Sequence, residues 1–223
     1  MTSTIQINLS KTTLAILKNF ASMNSNILVR PSNVIKTITP SMTGMAEAVV
    51  EETFDTEFGI WDLNKFLGVI SLFNNPTFEF EEKHVKIIGN NDTVVNYYYS
   101  EPRLLTIPTK TVNMPEILVQ TSMSQDMFSE LMRASSILQL PHLTFKSRGD
   151  DIYAIAQDLA DPTSNICEIK LDGSSDGVDF NFNFKIENIR VLPGDYKISF
   201  AKNVGLFENE NIDLKYWFAM HST

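Results

Sequence analysis

"LSKTTLAILKNFASMN", residues 9–24, is the stretch on which the reading of this chain turns. Leu14, Leu17 and Ala21 recur at helical spacing, which predicts a helix over about residues 10–23 with one core-facing stripe. Ser10 stands at its start, where a hydroxyl can accept an N–H from the first turn. The only charges are Lys11 and Lys18, and seven residues is close to two turns, so both lysines share one face. The chain as a whole carries a formal net charge of −9. A solvated surface helix is the simplest account of the stretch alone. A purely cationic helix in an acidic chain nevertheless raises the question of what it meets.

With 223 residues the chain can build one large domain or two of roughly 110. The apolar share of 43% and the charged share of 20% are those of an ordinary globular protein. No run approaches the roughly 20 apolar residues of a membrane helix. "MTSTIQINLSK" lacks the basic-then-apolar order of a secretory signal, so no membrane partner is expected. The single cysteine, Cys167, excludes an internal disulfide and suits a reducing compartment. Net acidity argues against indiscriminate nucleic-acid binding, which needs Lys and Arg to neutralise phosphates, yet it leaves room for a local basic surface.

Most of the remaining pattern is strand-like. "TIQINL" (4–9) precedes the helix, and "NILVR" (26–30), "VIKTIT" (34–39), "AEAVVEE" (46–52) and "EFGIW" (57–61) follow it. "DLNKFLGVISLF" (62–73) returns to helical spacing with Asp62 as its cap. "TFEFEE", "HVKII" and "TVVNYYY" predict three more strands. The segment "EPRLLTIPTKTVNMP" (101–115) holds three prolines and no period, and reads as a connector. The order then restarts: "EILVQTS" as strand, "SQDMFSELMRASSIL" (124–138) as helix, and "HLTFKS", "DIYAIAQD", "ICEIKLD" and the alternating "VDFNFNF" as strands. "KIENIRVL" (185–192) predicts a short fourth helix ahead of Pro193-Gly194, and "DYKISFA" and "IDLKYWFAM" close the chain as strands. The expected fold class is therefore α+β, with two similar domains, 1–108 and 109–223, each of two helices backed by antiparallel sheets.

Charge sorts with this architecture. The four helices hold six basic residues, Lys11, Lys18, Lys65, Arg133, Lys185 and Arg190, against four acids, whereas the rest of the chain holds 12 basic and 23 acidic residues. One surface has been kept from turning acidic.

"LSKTTLAILKNFASMNSNILV", "GIWDLNKFLGVISLF" and "LPGDYKISFAK" resemble the corresponding stretches of the DNA sliding clamps of T-even bacteriophages and their relatives, most closely over 9–29, 59–73 and 193–202. The resemblance implies a DNA clamp fold closed as a homotrimeric ring, with helices lining a hole and sheets outside. It implies a processivity factor that encircles double-stranded DNA without sequence preference, tethers the replicative DNA polymerase and is placed by an ATP-dependent clamp loader. Contacts to late-transcription factors, action in the cytoplasm of the infected bacterial host, and the absence of enzymatic activity and of a cofactor belong to the same implication. Lys11 and Lys18 match family lysines, Arg190 falls at a family basic position before "PGDY", and Arg133 occupies an equivalent place in the third helix. Lys65 and Lys185 join the DNA-facing set by helical position alone. A polymerase tail is expected beside the connector, with Leu104, Leu105, Ile107 and Pro108 as a wall, although each could equally be an edge of the core.

Other chemistries find little. His84, His142 and His221 have no second ligand at i+3 or i+4, so no metal site is expected. "DGSSDGVDFNFN" (172–183) imitates the start of a calcium loop but ends on Asn183 instead of a bidentate Glu. No glycine-rich phosphate loop is present. The competing reading is a strand-rich phage structural protein of the tail or baseplate, and four helices with basic faces weigh against it.

Overall fold

In the computed structural model, which describes residues 6–110 and 112–221, a short strand β1 (Gln6–Ile7) leads into α1 (Lys11–Met23). The Ser10 hydroxyl accepts the Thr13 N–H at 3.1 Å, the cap that the sequence predicts. A second capping group comes from a distant strand. The buried carboxylate of Glu52 accepts the Ser10 N–H and, at 2.5 Å, the Thr13 hydroxyl. A carboxylate there also opposes the positive end of the helix dipole. Glu52→Ala should therefore cost about 2 kcal/mol, the scale of hydrogen bonds to a charged group, read as a lower urea midpoint. An unchanged midpoint would mean that Ser10 caps the helix unaided.

The chain divides into two compact units, Met1–Lys110 and Thr111–Thr223. In the first, α1 is followed by β2 (Ile27–Val29), β3 (Ser32–Ile38), β4 (Gly44–Phe54), β5 (Phe58–Ile60), α2 (Leu63–Ile70), β6 (Thr77–Phe80), β7 (His84–Ile88) and β8 (Val94–Tyr98). All pairings are antiparallel: β3 with β4, β2 with β5, and a four-stranded sheet in the order β1-β6-β7-β8. Helix α1 packs on α2 and β4, burying Ile16, Leu17 and Phe20. Helix α2, capped by Asp62 accepting the Lys65 N–H at 2.9 Å, buries Leu63, Phe66, Leu67 and Ile70.

The second unit contains β9 (Val119–Met123), α3 (Gln125–Leu138), β10 (His142–Arg148), β11 (Asp151–Gln157), β12 (Cys167–Leu171), β13 (Asn181–Lys185), β14 (Tyr196–Ala201), β15 (Val204–Asn209) and β16 (Leu214–Ala219). One antiparallel sheet runs β12-β11-β10-β13, and β16-β15-β14-β9 follow one another in a second. Helix α3 packs on β11 and β12. The core is aromatic: Phe145 and Phe182 lie 4.9 and 5.1 Å from Phe200, centroid to centroid. A Cβ on Gly205 would come within 2.9 Å of the Phe184 ring, so the strand must carry glycine where that ring crosses it.

Two sequence expectations change. The fourth helix reduces to a single 3-10 turn, Ile186–Asn188, so among its described residues the second unit has one α-helix. Strand β13 runs through Lys185, and the buried Ile189 is already extended. Three residues between them cannot repay helix nucleation. Strand β15, in a stretch whose letters predict no element, pairs with β14 across the two-residue turn Lys202-Asn203.

Candidate nucleic-acid interface

Helix α1 turns its core stripe inward, and this sends Lys11, Ala15, Lys18 and Ser22 to the opposite side. Lys11 and Lys18 are both exposed, about 10.5 Å apart along the axis at 1.5 Å per residue. They rim a cleft of about 240 Å³ that is floored by Leu14, Leu67, Ile70 and Phe78. On α2 the same logic places Lys65 opposite the buried face, exposed. Among the described residues Lys11, Lys18 and Lys65 enter no ion pair, and neither helix contains an acid. Three lysines thus stand on two helix faces with no counter-charge of their own.

The second unit is different. Arg133 is exposed on α3, but Asp126 and Glu130 share its face, and its Nε–H donates to the Ser129 carbonyl at 3.4 Å. Lys185 and Arg190, expected on a helix, are not on one: Lys185 ends β13 and Arg190 follows the 3-10 turn. Lys185 lies 4.0 Å from Glu187, and Arg190 is exposed and engaged by a neighbouring group.

The connector is held from α1. Asn24, at the end of α1, donates through Nδ2 to the carbonyls of Ile38 at 2.9 Å and Thr106 at 2.8 Å. The Thr106 N–H donates to Asn26 Oδ1 at 2.9 Å, and Asn26 Nδ2 donates to the Trp61 carbonyl at 2.7 Å. Both asparagines are buried, and sequence reasoning passes over them because a buried Asn and a loop Asn look alike in a linear string. Of the expected groove wall, Leu105 is buried, and its side chain lies 2.6 Å from where a Cβ on Gly59 would stand. It anchors the connector in the core. Leu104 is 58% exposed, and Ile107 and Pro108 are half-buried, so any wall narrows to these three.

The remaining candidates resolve into packing. In the calcium-like stretch, Asn183 is buried in β13 and accepts the Thr144 hydroxyl at 2.7 Å. Among the described residues no three His, Cys, Asp or Glu side chains gather as a metal group, and no helix is long and apolar enough to cross a membrane. His142 and His221, far apart in sequence, stack with ring centroids 5.4 Å apart. Burial, and then the neighbouring His221, hold the His142 imidazole below its usual value; Asp158, 3.9 Å away, pulls the other way and does not win. The Leu159 N–H donates to His142 Nδ1 at 3.3 Å, a bond that needs the neutral ring. Unfolded chains therefore take up this proton first as pH falls, so stability should decline from about pH 6.5 downward. Urea midpoints between pH 8 and 5 should fall less steeply in His142→Gln; identical slopes would remove His142 from the account.

Comparison with known proteins shows the family and the fold. Residues 8–99 match the family model described as DNA polymerase processivity factor. The sliding clamp of Escherichia phage RB69 is 30% identical over 200 residues, covering 86% of each chain. That of Vibrio phage KVP40 is 26% identical over 218 residues, covering 96% of this chain and 98% of its own. Among solved structures, A. fulgidus PCNA bound to the C-terminal region of FEN-1 superposes with a TM-score of 0.72 at 12% identity, covering 98% of this chain and 99% of that one.

Proposed function

The chain belongs to the sliding-clamp family of DNA polymerase processivity factors, and from that premise we propose that three copies close into a ring around duplex DNA. It is a binding protein and not an enzyme: its work is to keep the replicative polymerase on the template. The observation that carries this reading is coverage, since phage sliding clamps match this chain over 86% or more of its length, through both units. A tail or baseplate role is not favoured by relatives of this kind.

Ring closure needs an unpaired strand edge on each side of a subunit. The first unit offers β8, the last strand of its sheet, where Val94 and Tyr98 are exposed. The second offers β12, preceded by the exposed Ile166. The opposite edges are poorer templates. Among the described residues strand β1 has two, and beside β13 the His221 N–H already donates to the Asn183 carbonyl at 2.7 Å. Pairing β8 of one copy with β12 of the next aligns their side-chain alternation. Half-buried Val95 and Tyr97 meet half-buried Cys167 and Ile169 on one face, and exposed residues meet on the other.

Lysines on the channel side hold phosphates by attraction that carries no sequence information, which lets the ring slide. The polymerase docks through an extended tail beside Leu104, Ile107 and Pro108; a C-terminal region, that of FEN-1, is likewise what the A. fulgidus protein binds. A closed ring must be opened to admit DNA, so an ATP-driven loader is required, and the same face serves late-transcription factors. The clamp acts in the infected host cell, and its compartment there is the cytoplasm. The test is topological. Loaded protein should remain on nicked circular DNA and run off once the circle is cut; equal loss from both forms rejects encirclement.

A further inference from the structure

We propose that phosphate contact in this clamp is confined to the first unit: Lys11, Lys18 and Lys65 meet the duplex, and the helical side of the second unit stands off it. The inference rests on the ring reading above and deepens it by saying which surface grips.

The sequence alone spreads six cations over four helices. Folding separates them into two unlike groups. The exposed faces of α1 and α2 present three lysines, no acid, and small or uncharged neighbours: Ala15, Ser22 and Gly68. A Cβ on Gly68 would meet nothing within 4 Å, so no neighbouring group covers the face at this position. None of these lysines enters an ion pair among the described residues, so their charge is available for counterion exchange with DNA.

The exposed face of α3 combines opposite features. Asp126, Glu130 and Arg133 lie together on it, giving an excess of one negative charge, and Arg133 is bonded back to its own helix. One turn beyond Arg133, Ile137 is 79% exposed on the same face. An apolar side chain offers a phosphate nothing, and two carboxylates within two turns repel it. Of the other two cations expected to face DNA in this unit, Lys185 lies 4.0 Å from Glu187, and Arg190 is engaged by a neighbouring group. Where the first unit has α2 with Lys65, the second has, among the described residues, the 3-10 turn bearing Glu187. Each feature lowers the second unit's attraction for a polyanion.

The experiment is a fluorescence-anisotropy titration of a 20-base-pair duplex with the assembled protein over a salt series, beside retention on nicked circles. Removing one lysine–phosphate pair should flatten the slope of log K against log salt by about 0.9. Lys11→Ala, Lys18→Ala and Lys65→Ala combined should weaken binding at low salt by tenfold or more and flatten the slope by one to three such steps. The triple arginine variant should restore both. Arg133→Ala and Lys185→Ala should each stay within twofold of the parent with an unchanged slope. Effects at Arg133 or Lys185 comparable to those of the triple variant would overturn the assignment. So would a parent protein whose duplex binding ignores salt while circles still retain it, and in that case the ring reading survives. Failure to be retained on circles sinks the ring itself.

Discussion

Aspartate at both Tyr98 and Ile166 should take the protein from about three times 25.2 kDa in solution to a single copy of 25.2 kDa. Tyr98 is 69% and Ile166 55% exposed, so neither substitution disturbs a core. Both flank the free edges of β8 and β12, where a ring would bury them. Deleting an aromatic anchor at an interface costs about 2 kcal/mol or more, roughly thirtyfold in dissociation constant. Placing two carboxylates in the same joint adds repulsion, and a ring repeats the defect at every joint. Each single variant should show a concentration-dependent mixture of species by light scattering, and the double variant a monomer with a native melting curve. Sedimentation of an intact trimer in the double variant would place the closure on other strands. Retention on circular DNA should vanish with the trimer, because encirclement has no partial form.

Reversing charge at Lys11 and Lys18 together should leave the trimer intact and cut the length of products made in primer extension by tenfold or more near physiological salt. The reason lies in position. Both residues point away from the α1 core, so Lys11→Glu and Lys18→Glu change no packing, and neither breaks an ion pair among the described residues. On the proposed DNA-facing surface the change replaces two attractions by two repulsions in every subunit. The deficit should narrow as salt rises, since the Debye length falls from about 10 Å at 0.1 M to about 3 Å at 1 M and screens both signs. Product lengths equal to those of the parent protein at low salt would show that enclosure alone suffices and that the lysines are solvated ornaments of the helix.

The Glu52 carboxylate shows what a linear reading can and cannot recover. Ser10 as the cap of α1, Asp62 as the cap of α2 and Ser124 as the cap of α3 are all visible in the letters, because capping acts within three residues. Glu52 is not, since it arrives from a strand 42 positions away. The same division runs through the strands. Phe180 and Phe184 stand on the apolar side of an alternating run, as a period of two predicts, whereas Asn183 on the other side is buried by its bond to Thr144. Strand β15 has Gly205 where an apolar residue would have completed its pattern, and that glycine is explained only by the Phe184 ring lying against it. The fourth helix fails for a related reason. Its spacing is helical, but β10 holds the chain in a ladder through Lys185, paired with His142.

For the candidate interface, local pattern alone determined that Lys11, Lys18 and Lys65 face away from a core, because helical geometry assigns a side to every residue once the apolar stripe is known. The resemblance, carried by three contiguous stretches, could also be read from the letters. What the tertiary structure decided was which charges remain uncompensated. Lys185 meets Glu187, Arg133 is drawn to its own helix beside two acids, Leu105 sinks into the core, and His142 finds His221. Side-chain direction is a local property of the backbone, whereas electrostatic neutralisation and burial depend on groups brought within a few ångströms by the fold. A sequence records the charges; only their distances say which are left to hold a ligand.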